Sequence, residues 1–351
     1  MSLDPARAKQ SAAELCNLVM SSTPVRTAID RYTINTEELR SVADADDNLT
    51  ILKNRESQTL NPPICLDPVP DPISLHVGEH VVEDQFIASI QNCQLLGPKA
   101  VPVTVNNRFL LENVLRSESL LIRSLIEIVR SGRIPKRRGT VDMTIDCAVS
   151  LVGPWAGGYF HWFSEWLPRL EAIEQFADQN KPTPTVIIPS SPPQWMRESL
   201  NLAGFNDYIT WNRGRVDVSE LLVPSLRRSH PVNAPDRYGN VGAGYQWVKR
   251  RILRNLDSVS DLSDSPTGIY ISRRHADERQ VVNESDVMNM LADYGFKLYE
   301  LEELSFSNQV RLFRQADAVV APHGAGLINA IYGTDLSILE LFGNYINGCY
   351  Y

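Results

Sequence analysis

The sequence predicts an α/β protein with two doubly wound sheets. From about residue 140, short apolar runs that end at Pro, Gly or polar turns alternate with longer segments whose apolar residues recur at helical spacing. The alternation occurs in two successive blocks, which a loop rich in Gly and Pro, residues 231–244, separates. Alternating strands and helices form parallel sheets covered by helices on both faces. Each block therefore predicts one Rossmann-like domain, and we expect the two domains to face each other across a cleft.

The elements of the two blocks can be assigned from the apolar pattern. The first block predicts helices over 159–178 and 193–203 and strands over 146–152, 184–189, 208–211 and 220–224. The second block predicts helices over 284–294 and 305–315 and strands over 268–272, 296–300, 317–322 and 337–342. A further helix is expected directly after the glycine-containing turn at 323–326.

The residues before the first block divide into two parts. Residues 1–60 are polar and poor in aromatic side chains, and they predict a peripheral or partly disordered arm. The proline-rich segment 61–72 marks the boundary after this arm, and an amphipathic helix is predicted over 118–130. The predicted organisation is an arm over 1–60, an N-terminal domain over 61–240 and a C-terminal domain over 241–351.

Composition and charge restrict the class of protein. In the 351 residues, 42 acidic side chains outnumber 34 basic ones, which argues against nucleic acid or an anionic membrane surface as the main partner. No segment has the apolar core of a signal peptide or the roughly 18–20 apolar residues of a membrane span. We therefore expect a cytoplasmic protein, and peripheral attachment to the inner face of the membrane stays open. The scattered cysteines predict thiols in a reducing compartment: Cys16, Cys65, Cys93, Cys147 and Cys349.

A glycine-containing turn, "APHGAG" at 321–326, joins a predicted strand to a predicted helix. Such a turn presents backbone N–H groups and the positive end of a helix to an anion, and Gly324 and Gly326 allow a phosphate to approach the backbone closely. The alternative is a tight turn that needs glycine for a positive φ, with His323 satisfied nearby. The pattern lacks the GK[ST] of a Walker loop and the GxGxxG dinucleotide fingerprint.

Three arginines follow the first strand of the second block. Arg273 and Arg274 stand at its carboxyl edge, where open α/β sheets bind ligands, and Arg279 comes shortly after. Arginine forks match phosphate oxygens, so these side chains predict an anion site; the alternative is an ordinary solvated charged loop. Glu340 on the last strand has the position to accept hydrogen bonds from a ribose, or to pair with a surface cation.

A third group of residues lies at the start of the predicted helix 159–178. His161 and Glu165 are four residues apart and so share one face, as a general base and its orienting carboxylate would. The alternative for His161 is a structural histidine. The neighbouring aromatic residues can form either a saccharide-stacking surface or core, and we favour core: Tyr159, Phe160, Trp162, Phe163 and Trp166.

The letters "HVGEH" at 76–80 match the H-x-x-E-H zinc-peptidase motif, which requires a helix. The flanking residues alternate as in a strand, which would hold His76 and His80 ~13 Å apart, too far for one zinc ion. We therefore expect no metal site here.

Taken together, these segments resemble glycosyltransferase family 61 over roughly residues 140–345. The resemblance rests on separated motifs in the same order: "GGYFHWFSEWLPRL", "YISRRHADERQVVNE", "LEELSFSNQVRLFRQADAVVAPHGAGLINAIY" and "ILELF". It implies a GT-B-like fold and an inverting transfer of sugar from a nucleotide sugar, which we expect to be UDP-linked, to a glycan, a lipid-linked glycan or another hydroxyl acceptor. The biological context that it implies is polysaccharide or glycan biosynthesis.

The resemblance also implies roles for individual residues. The C-terminal domain would bind the nucleotide sugar through Arg273, Arg274, Arg279, the turn of His323, Gly324, Ala325 and Gly326, the loop-holding Asn329, and Glu340 near the ribose. The N-terminal domain would supply the acceptor site and the base, which we assign to His161 with Glu165. We find no convincing D-x-D motif and no cofactor motif, so we expect a metal-independent enzyme. The alternatives are a non-catalytic nucleotide- or glycan-binding protein of the same fold, and a zinc hydrolase.

Overall fold

The computed structural model describes residues 23–45, 48–65, 68–130, 141–177, 183–212, 214–234, 238–240, 242–256, 267–346 and 348. Over these residues the protein is a mixed α/β structure with three sheets, of nine, four and four strands. No described helix is long and apolar enough to cross a membrane. Cys16 and Cys349 lie outside the described residues. Burial raises the pKa of the Cys93 thiol to about 12, which makes this thiol unreactive.

Much of the expected N-terminal arm belongs to the fold. It forms helices α1 (Thr23–Tyr32) and α2 (Thr36–Ala45) and strands β1 (Thr33–Ile34), β2 (Leu49–Lys53) and β3 (Glu56–Leu60). Leu39 and Ala43, one turn apart on α2, are buried. The expectation of a partly disordered arm is wrong for the described residues of 23–60, which form helices and strands, because buried Leu39 and Ala43 dock the otherwise polar helix α2.

The largest sheet has an antiparallel half and a parallel half. The other strands before residue 241 are β4 (Gly78–Val82), β5 (Gln85–Leu96), β6 (Val101–Val103), β7 (Phe109–Leu110), β8 (Met143–Ser150), β9 (Thr185–Pro189), β10 (Tyr208–Trp211), β11 (Arg215–Pro224), β12 (Arg228–Pro231) and β13 (Gly239–Asn240). The large sheet has the order β1-β7-β6-β5-β11-β8-β9-β10, with β2 beside β5. Strands β11, β8, β9 and β10 are parallel, and β5 runs antiparallel to β11. A second sheet has the order β13-β12-β4-β3.

Most of the remaining helices lie at predicted positions, whereas the helices Asp71–Ser74 and Gly242–Asn255 were not predicted. The remaining helices are α3 (Asp71–Ser74), α4 (Glu118–Arg130), α5 (Tyr159–His161), α6 (Leu170–Ala177), α7 (Gln194–Ala203), α8 (Gly242–Asn255), α9 (Glu284–Ala292) and α10 (Phe306–Gln315). Short 3₁₀-helices cover Glu112–Val114, Leu301–Glu303 and Ala325–Tyr332. The predicted helices at 118–130, 193–203, 284–294 and 305–315 are confirmed to within two residues at each end.

The predicted helix at 159–178 is a composite of four short pieces. After α5, a π-helix runs over Trp162–Trp166 and a 3₁₀-helix over Leu167–Arg169, before α6 completes the segment. Pro168 lacks an N–H group and cannot continue a regular α-helix, so the irregular turns surround it as expected. Trp162, Phe163 and Trp166 are buried, which confirms the core interpretation for these three rings.

The third sheet is fully parallel and contains the four strands of the second predicted block. These are β14 (Gly268–Ile271), β15 (Phe296–Tyr299), β16 (Ala318–Pro322) and β17 (Ser337–Leu341), in the order β15-β14-β16-β17. Strand β14 therefore has β15 on one side and β16 on the other. The gap between the carboxyl ends of β14 and β16 is a topological switch point, where α/β sheets form ligand crevices.

One continuous apolar core joins the composite helix to the third sheet. Phe163 stacks on Phe306 of α10 with ring centroids 5.1 Å apart, and Phe306 meets Tyr332 edge to face. Aromatic pairs of this kind add to the burial of their apolar area. The packing fixes the start of the composite helix against the carboxyl edge of the third sheet.

A buried ionic cluster around Glu112 joins segments that are distant in the sequence. The Glu112 carboxylate accepts hydrogen bonds from Arg116, from the Thr36 hydroxyl and from the Leu226 backbone amide. Burial by itself raises the pKa of the Glu112 carboxyl, but Arg116 and Arg169 outweigh burial, and the pKa lies below its ordinary range. The carboxylate is thus charged at neutral pH and links α2, the 3₁₀ turn at Glu112 and the segment after β11.

We expect Glu112→Gln to lower the free energy of unfolding by about 3 kcal/mol, because it removes one counter-charge of the buried Arg116 and Arg169 guanidinium groups. Since the folded pKa is lowered, the carboxylate stabilises the fold above its unfolded pKa, and this contribution disappears as the pH falls below about 4. Urea denaturation at pH 7 and at a series of pH values below about 4 measures both effects. The matched control is Glu37→Gln, at an exposed position, with a change under about 0.5 kcal/mol. Equal losses in the two variants would contradict the role of the cluster.

Candidate functional site

A cavity of about 450 Å³ lies at the switch point of the third sheet. Its lining includes residues that directly follow three parallel strands: Ser272 and Arg273 after β14, residues 301–306 after β15, and residues 324–327 after β16. The opposite wall consists of Tyr159 on α5 and three side chains of α7, which are Gln194, Trp195 and Glu198. Cavities of this size accommodate ligands of a few dozen atoms.

Arg273 and the glycine turn, which the sequence singled out separately, are in contact. A Cβ atom on Gly324 would overlap the Arg273 guanidinium, whose Cζ would lie only 3.0 Å away. A Cβ atom on Gly326 would likewise overlap the Leu301 side chain. Gly324 has a φ of −175°, so the interpretation that this glycine supplies a positive φ is wrong. Gly324 instead leaves room for the Arg273 guanidinium, which lies against the turn.

Two helix N-termini add partial positive charge to the same wall. The 3₁₀-helix Ala325–Tyr332 begins within the glycine turn, and α10 begins after Ser305, whose hydroxyl accepts from the Asn308 N–H. Both starts line the cavity. Helix N-termini carry partial positive charge, so this wall suits a negatively charged group.

The other two predicted arginines are directed elsewhere. Arg274 forms ion pairs with Glu300, at 3.0 Å, and Glu284, at 3.7 Å. Arg279 is exposed, and its guanidinium carbon lies 5.7 Å from the ring centre of Tyr345. Neither arginine is among the described residues that line the cavity. Arg273 and Arg274 are neighbours in the sequence, so the sequence alone does not show which of them lines the cavity. The contact of Arg273 with Gly324 shows it in the structure.

His323 is buried and belongs to a dyad with Glu340. Its Nδ1 lies 2.5 Å from a carboxylate oxygen of Glu340, and its ring stacks on Phe342 with centroids 5.3 Å apart. The parallel register of β16 and β17 produces this contact, since it pairs Ala321 with Glu340 and Pro322 with Leu341. Glu340 thus contacts His323 in this structure, and its contact with a ribose stays a prediction.

A buried polar network joins the composite helix to the glycine turn. The Tyr159 hydroxyl lies 2.7 Å from Asn329 Oδ1 and 3.0 Å from Gln309 Oε1, and Asn329 Nδ2 donates to Gln309 Oε1 at 2.9 Å. Gln309 in turn donates to the carbonyls of Leu301 and Leu304, on the cavity rim. Burial raises the pKa of the Tyr159 hydroxyl, which therefore stays protonated and donates. Asn329 lies in the 3₁₀-helix that follows the glycine turn, and its contacts join this helix to α5 and α10.

His161 and Glu165 form the pair that their spacing predicts. His161 Nδ1 lies 2.9 Å from Glu165 Oε2, and the imidazole is one third exposed. Neither residue is among the described residues that line the cavity. Trp155, half-exposed and with a positive φ of 58°, stacks on the His161 ring at 4.9 Å. With Nδ1 directed at a carboxylate, Nε2 is the nitrogen that remains to take up a proton.

Sequence reasoning missed the contribution of α7 to the cavity. Its residues Gln194, Trp195 and Glu198 line one wall, although the segment looks like an ordinary amphipathic helix in the sequence. Their spacing of i, i+1 and i+4 is the available signal, since it places an amide, an indole and a carboxylate on neighbouring positions of one helix face.

The "HVGEH" segment is not a zinc-binding helix. Residues 78–82 form strand β4, as predicted, and His80 Nε2 donates to the His76 carbonyl at 2.9 Å. The expected separation of the two histidines as members of one strand is wrong, because Gly78 has a φ of 107° and the chain bends there. Among the described residues, no group of three or more His, Cys, Asp and Glu side chains could hold a metal ion.

Comparison with known proteins identifies the family. The profile of the family described as Glycosyltransferase 61 matches residues 159–336, which is just over half of the chain. The chain therefore belongs to the glycosyltransferase 61 family. The matched segment begins at Tyr159, includes the α7 wall and both predicted anion-binding segments, and ends before β17.

Among characterised relatives, the chain is similar to EGF domain-specific O-linked N-acetylglucosamine transferases. The protein of Gallus gallus is 27% identical over 137 residues, that of Rattus norvegicus 26% and that of Mus musculus 25% over the same length. Each alignment covers 37% of this chain and 26% of the relative. The similarity thus spans about a quarter of the length of these relatives.

We expect Tyr159→Phe to lower the free energy of unfolding by about 1–2 kcal/mol, because it leaves a buried amide oxygen of Asn329 with one donor fewer. Chemical denaturation measures the loss. Tyr294→Phe is the matched control, since Tyr294 is 76% exposed and its variant should change stability by less than about 0.5 kcal/mol. A Tyr159→Phe protein as stable as the control would show that the network does not join the two parts.

Proposed function

We propose that this protein is a glycosyltransferase that binds a nucleotide sugar in the cavity and transfers its sugar to a hydroxyl group of an acceptor. The observation that carries the proposal is the contact between Arg273 and the Gly324 turn at the switch point, in a chain of the glycosyltransferase 61 family. A guanidinium group beside a glycine turn at a helix N-terminus suits a diphosphate. The acceptor that we propose is a glycan, with a lipid-linked glycan included, in polysaccharide or glycan biosynthesis.

We further propose the GT-B-like arrangement, with the donor on the C-terminal side and the acceptor on the N-terminal side. The cavity supports this proposal because its walls come from the carboxyl ends of strands in two sheets. Tyr159 follows β8 and Gln194 follows β9 in the large sheet, and Ser272 and Gly324 follow β14 and β16 in the third sheet. Two sheets whose carboxyl edges share one crevice fit two doubly wound domains.

The reaction that we propose is a single displacement with inversion. The acceptor oxygen forms a bond to the anomeric carbon while the bond from that carbon to the β-phosphate oxygen breaks. The acceptor proton passes to His161 Nε2, which Glu165 orients through Nδ1. The nucleoside diphosphate leaves with the electron pair, and Arg273 and the amides of the glycine turn stabilise its negative charge. We propose that these groups act without a metal ion.

The experiment that tests the function is a transfer assay with a panel of UDP-sugars and glycan acceptors. UDP-N-acetylglucosamine comes first in the panel, because N-acetylglucosamine is the sugar in the names of the relatives. We expect a β-to-α or α-to-β change at the anomeric carbon and equal rates with and without EDTA. A protein that binds nucleoside diphosphate but neither transfers nor hydrolyses any sugar would favour the alternative, a non-catalytic binding protein. A cytoplasmic location likewise stays a prediction, which cell fractionation tests.

The two neighbouring arginines provide a matched pair for the donor site. We expect Arg273→Ala to weaken UDP binding at least tenfold, which is about 1.4 kcal/mol, because it removes the cation that faces the glycine turn. Arg274→Ala removes the same charge from a side chain paired with Glu284 and Glu300, and should weaken UDP binding less than about threefold. Isothermal titration calorimetry measures both. Equal losses of UDP affinity in the two variants would show that Arg273 attracts UDP through its charge only and not through its position beside the glycine turn.

The pair of His161 and Glu165 is tested by separating binding from turnover. We expect His161→Ala to lower kcat by about a hundredfold or more while the Kd for UDP stays unchanged, because it removes the proton acceptor but no donor contact. Glu165→Gln keeps a side chain that can contact Nδ1, and should reduce kcat to a smaller extent. Wild-type turnover in both variants would place the base elsewhere.

A further inference from the structure

The cavity has two chemically different walls. The wall of the third sheet carries Arg273 and the helix-start amides, which suit an anion. The facing wall, from α7, presents the carboxylate of Glu198, the amide of Gln194 and the indole of Trp195. A carboxylate repels a diphosphate, so the phosphates belong to the first wall, and a different part of the ligand must face the second.

The side chains of the α7 wall are held in place by contacts with the protein. Gln194 Nε2 donates to Glu198 Oε1 at 2.7 Å, and the other carboxylate oxygen accepts from the Ser307 backbone amide at 3.3 Å. The Trp195 ring packs edge to face on Tyr159 with centroids 5.0 Å apart. Preorganised side chains lose little entropy when a ligand binds.

This combination of groups has the chemistry of a saccharide site. A carboxylate accepts hydrogen bonds from two hydroxyl groups, an amide both donates and accepts, and an indole offers an apolar face to the C–H groups of a pyranose ring. We propose that Gln194, Trp195 and Glu198 recognise the sugar of the nucleotide-sugar donor, with Glu198 as the main acceptor of its hydroxyl hydrogen bonds. This inference rests on the proposed function, since it requires the diphosphate at Arg273.

The contact with Ser307 gives Glu198 a second explanation, as an anion at the start of α10. Glu198→Gln distinguishes the two explanations, because the amide oxygen can still accept from the Ser307 N–H while the charge that attracts hydroxyl donors is lost. If Glu198→Gln weakens only the recognition of the sugar, the loss therefore reports on hydroxyl contacts. A displaced α10 would also weaken the binding of the diphosphate at the wall of the third sheet.

The test compares UDP with UDP-N-acetylglucosamine and UDP-glucose by calorimetry. In the wild type, we expect at least one UDP-sugar to bind more tightly than UDP. In Glu198→Gln, the affinity for UDP should stay within about threefold, while the preference for the UDP-sugar should fall at least tenfold. Trp195→Ala should reduce the same preference.

The control is Arg197→Gln, which changes the charge of α7 by one unit at an exposed position outside the cavity lining. It should leave the preference unchanged. Equal loss of UDP and UDP-sugar affinity in Glu198→Gln, or no change in the preference, would overturn the inference while leaving the proposed function intact. A wild-type protein that does not bind UDP would instead contradict the proposed function itself.

Discussion

The hydrogen-bond network of Tyr159, Gln309 and Asn329 is the constraint on which the arrangement of the site depends. These polar groups are enclosed by the aromatic packing of Phe163 on Phe306, so each must find its partner inside the protein. Their hydrogen bonds hold the start of the composite helix against the 3₁₀-helix that follows the glycine turn. The cavity lies beside that junction, and Tyr159 and Gln309 contribute to its lining.

The electrostatic division of the cavity follows from chain topology. Parallel strands β14 and β16 end at one edge, and the turns after them bring Arg273 against Gly324. The helix after β9 approaches from the opposite side with Glu198. An elongated ligand with an anionic part and a hydroxyl-rich part suits this division. A nucleotide sugar has these two parts, and the family of the chain agrees with this ligand.

Local patterns in the sequence predicted most elements of the second block, because apolar periodicity is a local property and strands β14 to β17 and their helices are bounded by Gly and Pro. They failed for residues 23–60, where a polar composition concealed Leu39 and Ala43. The contacts of the site were harder to foresee. Arg273 and Arg274 are equivalent until packing distinguishes them, and the pairing of His323 with Glu340 depends on the register of two strands. The role of α7 depends on how two sheets face each other, which no local pattern encodes.

Hydrogen exchange in the presence and absence of UDP tests the central claim, which is that a nucleoside diphosphate binds where the carboxyl ends of β14 and β16 meet. The amides at the start of α10 and of the 3₁₀-helix Ala325–Tyr332 line this site. Saturating UDP should slow exchange at residues 305–308 and 324–327, and should leave strand β4 unchanged. Protection confined to other segments, or no protection at a UDP concentration that saturates binding, would contradict the account.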